Sequence, residues 1–155
     1  MKSIGAMLAV FGLDYFTKKW ANKKLAVGKK QAIVKDRLYF WHIKNYGLAY
    51  HKFTGKQKEI LLFTGGIITV YATMLLQTFR NPKDKIYRLP LALVLGGGIG
   101  NFWERLKKGS VTDFLFIKKG SNAPIFNVAD IAVFLGAIWL VVSNLTLILE
   151  EKRKK

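Results

Sequence analysis

Nine acidic side chains stand against 26 basic ones in this chain of 155 residues, and four of the nine sit where acid–base chemistry could use them: Asp14, Glu104, Asp113 and Asp130. Asp36, Glu59, Asp84, Glu150 and Glu151 fall in loops or at helix ends, where solvation or capping explains them. Asp113 closes a short basic turn that begins Lys107-Lys108-Gly109-Ser110 and opens the apolar run Phe114-Leu115-Phe116-Ile117. Asp130 follows Phe126-Asn127-Val128-Ala129 and heads the last apolar segment. Taken singly, Asp113 reads as a turn residue and Asp130 as a helix cap, since the dipole and free amides of a helix N-terminus stabilise a carboxylate. Taken together they lie 17 residues apart, on arms able to fold back on each other. Two carboxylates brought close cannot both ionise, so one keeps a proton. Such a pair can activate water as a base and protonate a leaving amine as an acid. That is aspartic-protease chemistry, and it needs neither thiol nor metal. The chain has no cysteine and only two histidines, His42 and His51, so disulfides, thiolate sites and cysteine nucleophiles are excluded and no metal or cofactor is expected.

Other polar groups invite a structural explanation first. Asp14 and Lys18 are four residues apart, share a helix face and can pair. Asn101 and Arg105 have the same spacing, with Glu104 beside Arg105. That cluster reads equally as a self-satisfied polar patch or as donors for a substrate carbonyl. The glycine run Gly96-Gly97-Gly98-Ile99-Gly100 is not a P-loop, because Asn101 follows where Lys and Ser/Thr would be required. Gly96 and Gly100 form instead a small-xxx-small pair for close helix packing.

The elements that position these groups are apolar. Residues 60–79 and 131–149 are uncharged runs of twenty and nineteen, and about 20 apolar residues cross a bilayer core. Residues 89–103 and 3–13 are shorter uncharged runs whose continuations carry polar residues. The expectation is a mainly α membrane protein with four transmembrane helices, near 3–21, 60–79, 88–105 and 129–149, in one domain spanning 1–155. Disorder is excluded by 14% aromatic content. The first segment reads as a retained helix rather than a cleaved signal peptide, since Asp14 interrupts it and Lys18-Lys19 stand where a small-residue cleavage site belongs. An even number of spans puts both termini on one side. The 80–88 loop has four basic residues in nine positions and the 150–155 tail four in six, whereas 18–59 spreads 12 over 42. Short, dense loops set orientation, so the termini are expected inside.

The outer segments, 22–59 and 106–128, are more than linkers. Ala32-Ile33-Val34, Leu38-Tyr39-Phe40-Trp41-His42-Ile43 and residues 111–117 are β-branched and aromatic clusters of strand type. Lys119-Gly120-Ser121-Asn122 and Pro124 supply turn material. A small extracytoplasmic β platform fed by both segments is expected, with its aromatic groups at headgroup level.

Five motifs in order along the chain carry a resemblance. They are Asp14-Tyr15-Phe16-Thr17-Lys18, Asn45-Tyr46-Gly47-Leu48-Ala49-Tyr50, the stretch from Gly96 through Asn101-Phe102-Trp103-Glu104-Arg105, Gly109-Ser110-Val111-Thr112-Asp113-Phe114, and Phe126-Asn127-Val128-Ala129-Asp130. In these the chain resembles the prolipoprotein signal peptidases (signal peptidase II), bacterial membrane aspartyl proteases that remove signal peptides from lipid-modified prolipoproteins. The resemblance implies that Asp113 and Asp130 are the catalytic pair. It implies that Asn45, Gly47, Gly100, Asn101, Arg105, Asn127 and Ala129 shape or line the substrate site, and that Asp14, Lys18 and Glu104 support the fold. It differs at Glu104, where the family usually has Asp, and at Tyr50, where Phe is common. Glu104 is one methylene longer and is expected to shift its interaction with Arg105.

The activity expected is endopeptidase cleavage before a diacylglyceryl-modified cysteine, at the extracytoplasmic face of a bacterial cytoplasmic membrane. Lipid-modified prolipoproteins and membrane lipids are the expected partners, without nucleic acid, and the chain is expected to act as a monomer. Two other readings remain. The net charge of +17 and the lysine-rich 18–58 segment would suit a non-catalytic or specialised paralogue acting as a basic membrane adaptor. Asp14, Lys18, Asn101 and Arg105 could line a path in a small transporter.

Overall fold

The computed structural model describes residues 2–48, 53–118 and 123–153; the motif residues Ala49 and Tyr50, His51, and the turn Lys119-Gly120-Ser121-Asn122 lie outside them. Four helices dominate: α1 (Lys2–Lys24), α2 (Gln57–Arg80), α3 (Arg88–Lys108) and α4 (Val128–Arg153). Their 23, 24, 21 and 26 residues correspond to roughly 31–39 Å each at 1.5 Å per residue. Two stretches, Gln57–Arg80 and Val128–Glu150, are long and apolar enough to cross a membrane on composition alone. Each helix runs further than the uncharged stretch that announces it. Lys23 and Lys24 close α1, and Lys107 and Lys108 close α3, where cations complement the helix dipole. A short 3-10 turn, Pro82–Tyr87, joins α2 to α3, with the Asn81 side chain accepting from the Lys83 amide.

Helix α3 is the central element, and glycine makes it so. A Cβ at Gly96 would lie 2.7 Å from the Met7 carbonyl oxygen of α1, and one at Gly100 would lie 2.5 Å from Asp14 Oδ2. The expected small-xxx-small pair thus faces α1. Gly97 faces the other way, against the Ala129 carbonyl and Val133 of α4. Leu75, Leu91 and Leu95 form the buried centre between α2 and α3, with Met7 and Leu140 packed against it. Outward, large apolar side chains such as Leu62, Phe63, Phe134 and Val141 are exposed. This inverts the pattern of a water-soluble helix and leaves an apolar girdle for lipid.

The platform is a four-stranded antiparallel sheet in the order β1 (Lys30–Val34), β2 (Leu38–Asn45), β3 (Val111–Ile117), β4 (Ile125–Phe126). Both outer segments feed it, as the strand clusters suggested. Two features differ from the sequence reading. Asp113 is the third residue of β3, opposite Ile43 of β2, and not a turn residue; the hydrogen-bonded partner strand fixes it, which local turn chemistry could not reveal. The two-residue strand β4 pairs Phe126 with Leu115 and Ile125 with Phe116, too short a run to stand out in the sequence. His42, buried, lies within a register irregularity between Phe40 and Ile43, its Nδ1 2.9 Å from the Leu25 carbonyl oxygen. The sheet is thereby tied to the end of α1, where Ala21, Leu25 and Phe114 form a second buried cluster with Phe40 against it.

Candidate active site

Asn127 immediately precedes helix α4, and the first turn of that helix builds the site. The Asp130 amide donates to Asn127 Oδ1 at 3.0 Å, and the Asn127 amide donates back to Asp130 Oδ2 at 3.1 Å. This is a reciprocal capping box made from Asn and Asp. The cap expected of Asp130 is therefore present, and it does not exhaust the residue. Asn127 is fully buried, and its Nδ2 donates to Asp113 Oδ1 at 2.7 Å. One residue thus holds both carboxylates: Asp130 through its backbone amide and Asp113 through its side-chain amide. The remaining oxygens are also filled. Asn45 Nδ2 donates to Asp113 Oδ2 at 3.0 Å, and Asn101 Nδ2 donates to Asp130 Oδ1 at 2.8 Å.

Asp113 is 3% exposed. Burial, and next the negative charge of Asp130, push its carboxyl up to about 7, against the pull of the Asn45 and Asn127 donors and the Lys18 charge. A carboxyl raised that far, in part by a neighbouring carboxylate, keeps its proton for much of the time near neutral pH. Among the described residues, no group of three or more His, Asp and Glu side chains is placed to hold a metal ion.

Lys18 links this pair to the supporting residues. Its ammonium, buried with Asp14, lies 2.7 Å from Asp14 Oδ2 and donates to Asn101 Oδ1 at 2.7 Å. Asp14 Oδ1 accepts from the Ala129 amide at 3.0 Å. The expected intrahelical pair exists, and it also joins three helices. Gly100 and Ala129 belong here: the first makes room for the Asp14 carboxylate, and the second supplies an amide to it.

The cluster of Asn101, Glu104 and Arg105 divides. Arg105 is buried and donates through Nη2 to the Gly47 carbonyl at 2.8 Å, while its Nε has no hydrogen-bond partner among the described residues. Gly47 is held in turn by its amide, which donates to Asn45 Oδ1 at 3.0 Å, a local Asx turn. The Gln57 side chain donates to the neighbouring Tyr46 carbonyl and anchors this loop to α2. The expected pairing of Glu104 with Arg105 gives way to another. Glu104 accepts from the Thr112 amide at 2.9 Å, from Thr112 Oγ1 at 2.7 Å and from Lys108 at 2.9 Å, and lies 3.5 Å from Lys18. Adjacent residues on a helix point about 100° apart, which sends Glu104 to the α1 side and Arg105 to the loop.

Phe114, next to Asp113 in the chain, does not wall the carboxyl pair. Alternation along β3 turns Phe114 away from Asp113, into the cluster with Ala21 and Leu25 and against Trp20. Three residues missed by the sequence reading brace the site: Thr112, Asn22, whose Nδ2 donates to Thr112 Oγ1 at 2.9 Å, and His42. Strand alternation from Asp113 could have found Thr112. The other two depend on tertiary packing.

Residues 6–146 match the family model for signal peptidase (SPase) II. The chain is 35% identical to a lipoprotein signal peptidase of Clostridium tetani over 132 residues, 84% of this chain and 83% of the relative. It is 32% identical to a lipoprotein signal peptidase of Lactococcus lactis over 147 residues, 94% and 95% of the two chains. A solved bacterial membrane enzyme, determined by the in meso method, superposes with a TM-score of 0.82 at 25% identity, covering 99% of this chain and 92% of its own. With its family motifs brought together at the head of α4, the chain belongs to the signal peptidase II family.

Proposed function

We propose that this protein is an aspartic endopeptidase of the bacterial cytoplasmic membrane. It removes signal peptides from diacylglyceryl-modified prolipoproteins by cutting before the lipidated cysteine. The single observation that carries this reading is Asn127, buried and hydrogen-bonded to both Asp113 and Asp130. A pair so held, with one proton between its two carboxyls, takes a proton from the attacking water at the charged carboxylate and gives the proton of the neutral carboxyl to the leaving amine. One carboxyl of the pair keeps the proton and acts as the acid, and the other is the base. Asn45, Asn101 and Asn127 orient the two carboxyls. Arg105 and Gly47 border the approach of the peptide, the guanidinium being held on the Gly47 carbonyl. Asp14, Lys18 and Glu104 position helix ends rather than touch substrate.

In this reading α1 and α3 cross the bilayer beside the two apolar helices, as one four-span domain acting as a monomer. Both termini are cytoplasmic, and the sheet lies on the outer face. The carboxyl pair then stands at the membrane boundary, where a substrate keeps its acyl chains in lipid while its scissile bond reaches water. The test is a fluorescent cleavage assay in detergent with a diacylglyceryl-cysteine peptide and its unlipidated twin. Cleavage of the lipidated peptide alone, lost in Asp113→Asn and in Asp130→Asn, is expected. Appreciable cleavage by either variant would remove the carboxyl pair from the mechanism.

A further inference from the structure

A second groove lies between α1 and α3, about 230 Å³ in volume, and none of Asp113, Asp130, Asn45, Gly47 or Asn127 lines it. Its walls are graded. On α1, Phe11, Tyr15 and Lys19 stand four residues apart, and on α3 Trp103 and Lys107 do the same, with Lys108 beside them. Residues at i and i+4 share a helix face, so each wall is aromatic lower down and cationic toward the end from which the sheet emerges. Both helices run toward that end, since β1 follows α1 and β3 follows α3.

The charges in the groove do not balance. Asp14 is taken by Lys18 at 2.7 Å, and Glu104 by Lys108 at 2.9 Å. Lys19 and Lys107 have no acidic partner among the described residues, and the Lys107 ammonium is poised 4.8 Å from the centre of the Trp103 ring. An aromatic wall below two surplus ammonium groups matches an amphipathic anion in both halves. A free phosphate would use only the upper half. We propose that this groove binds an anionic phospholipid, its phosphate between Lys19 and Lys107 and an acyl chain along Phe11, Tyr15 and Trp103.

The test reads lipid retention and is independent of peptidase activity. Native mass spectrometry of the detergent-solubilised protein is titrated with phosphatidylglycerol, with phosphatidylcholine and with glycerol 3-phosphate. One phosphatidylglycerol is expected to be retained in preference to phosphatidylcholine. A lysine near an anionic surface contributes about fivefold in binding, so Lys19→Gln combined with Lys107→Gln is expected to cut the preference by about 25-fold. Lys35→Gln combined with Lys44→Gln, exposed in the β1–β2 turn and on β2, is expected to leave it unchanged. Equal retention of the two lipids would overturn the proposal. So would a preference that survives the groove variant or falls with the sheet variant, and so would glycerol 3-phosphate binding as tightly as the lipid. Unchanged elution and melting temperature of both variants keep the comparison one of folded proteins.

Discussion

Replacing Asp113 by Asn is expected to abolish cleavage while making the protein more stable at alkaline pH. The Asp113 carboxyl stands at about 7 in the folded protein against 3.8 in the unfolded chain. Between those values the folded state binds a proton that the unfolded state has released. A raised carboxyl therefore costs stability as pH rises through that window, and the cost levels off above about 7. From pH 5 to pH 7 it grows over about two units, or roughly 3 kcal/mol at 1.36 kcal/mol per unit. Asn cannot titrate, so the variant escapes this loss. It has a fixed penalty instead, because Asn45 and Asn127 both donate to the carboxylate and one of them would meet an NH₂ group. That mismatch costs about 1–2 kcal/mol at any pH. The two proteins should therefore melt close together at pH 5. By pH 8 the gap in favour of Asp113→Asn should have grown by roughly 6–12 °C, at about 2–4 °C per kcal/mol for a chain of this size. Melting followed by tryptophan fluorescence in detergent at pH 5, 6, 7 and 8 reads the gap directly. A gap that stays constant across that range would refute the raised carboxyl, and with it the shared proton.

The same proton sets the rate: kcat/KM for a lipidated peptide is expected to fall about tenfold per pH unit above roughly 7 as the pair loses it, and a flat profile from pH 6 to 9 would contradict this. Asn127→Ala removes the cap and the bridge together, so a loss of about 1–2 kcal/mol in stability with at least a hundredfold loss of cleavage is expected from parallel melting and kinetic assays. Gly100→Ala places a methyl group 2.5 Å from Asp14 Oδ2, and overpacking of this kind costs about 1–3 kcal/mol, to be seen as a lower melting temperature. Glu104→Ala leaves the Thr112 amide and hydroxyl and Lys108 without their acceptor, for an expected cost of about 2–4 kcal/mol, readable in the same melt.

The helices were legible because their signal is local: uncharged runs such as 60–79 and 131–149 declare themselves. So were β2 and β3, whose aromatic and β-branched residues cluster in short runs. The candidate carboxyls could be named because so few acids compete with them. What the sequence concealed was direction. Glu104 and Arg105 are neighbours in the chain, yet one turns to Thr112 and the other to Gly47, because helix geometry separates consecutive side chains. Asp113 looked like a turn residue because its strand partner, Ile43, is 70 residues away. His42 gave no sign of its bond to the Leu25 carbonyl, since that contact depends on how the sheet docks on the end of α1.

The hardest thing to read was that two explanations of one residue could both hold. A helix N-terminus leaves its first amides unsatisfied, and α4 fills them with groups of the site itself. Asp14 takes the Ala129 amide and Asn127 takes the Asp130 amide, while Asp130 takes the amide of Asn127. The cap is therefore part of the device that aims Asp130. It fixes the carboxylate through backbone geometry and leaves the Asn127 Nδ2 free to reach across to Asp113 on β3. Sheet and helix meet at that amide group and, beside it, where Val128 packs against the Phe114 cluster. A carboxyl pair built this way is aligned in part by the same bonds that end the helix, so unwinding the first turn of α4 or detaching β3 from the sheet is expected to lose the alignment.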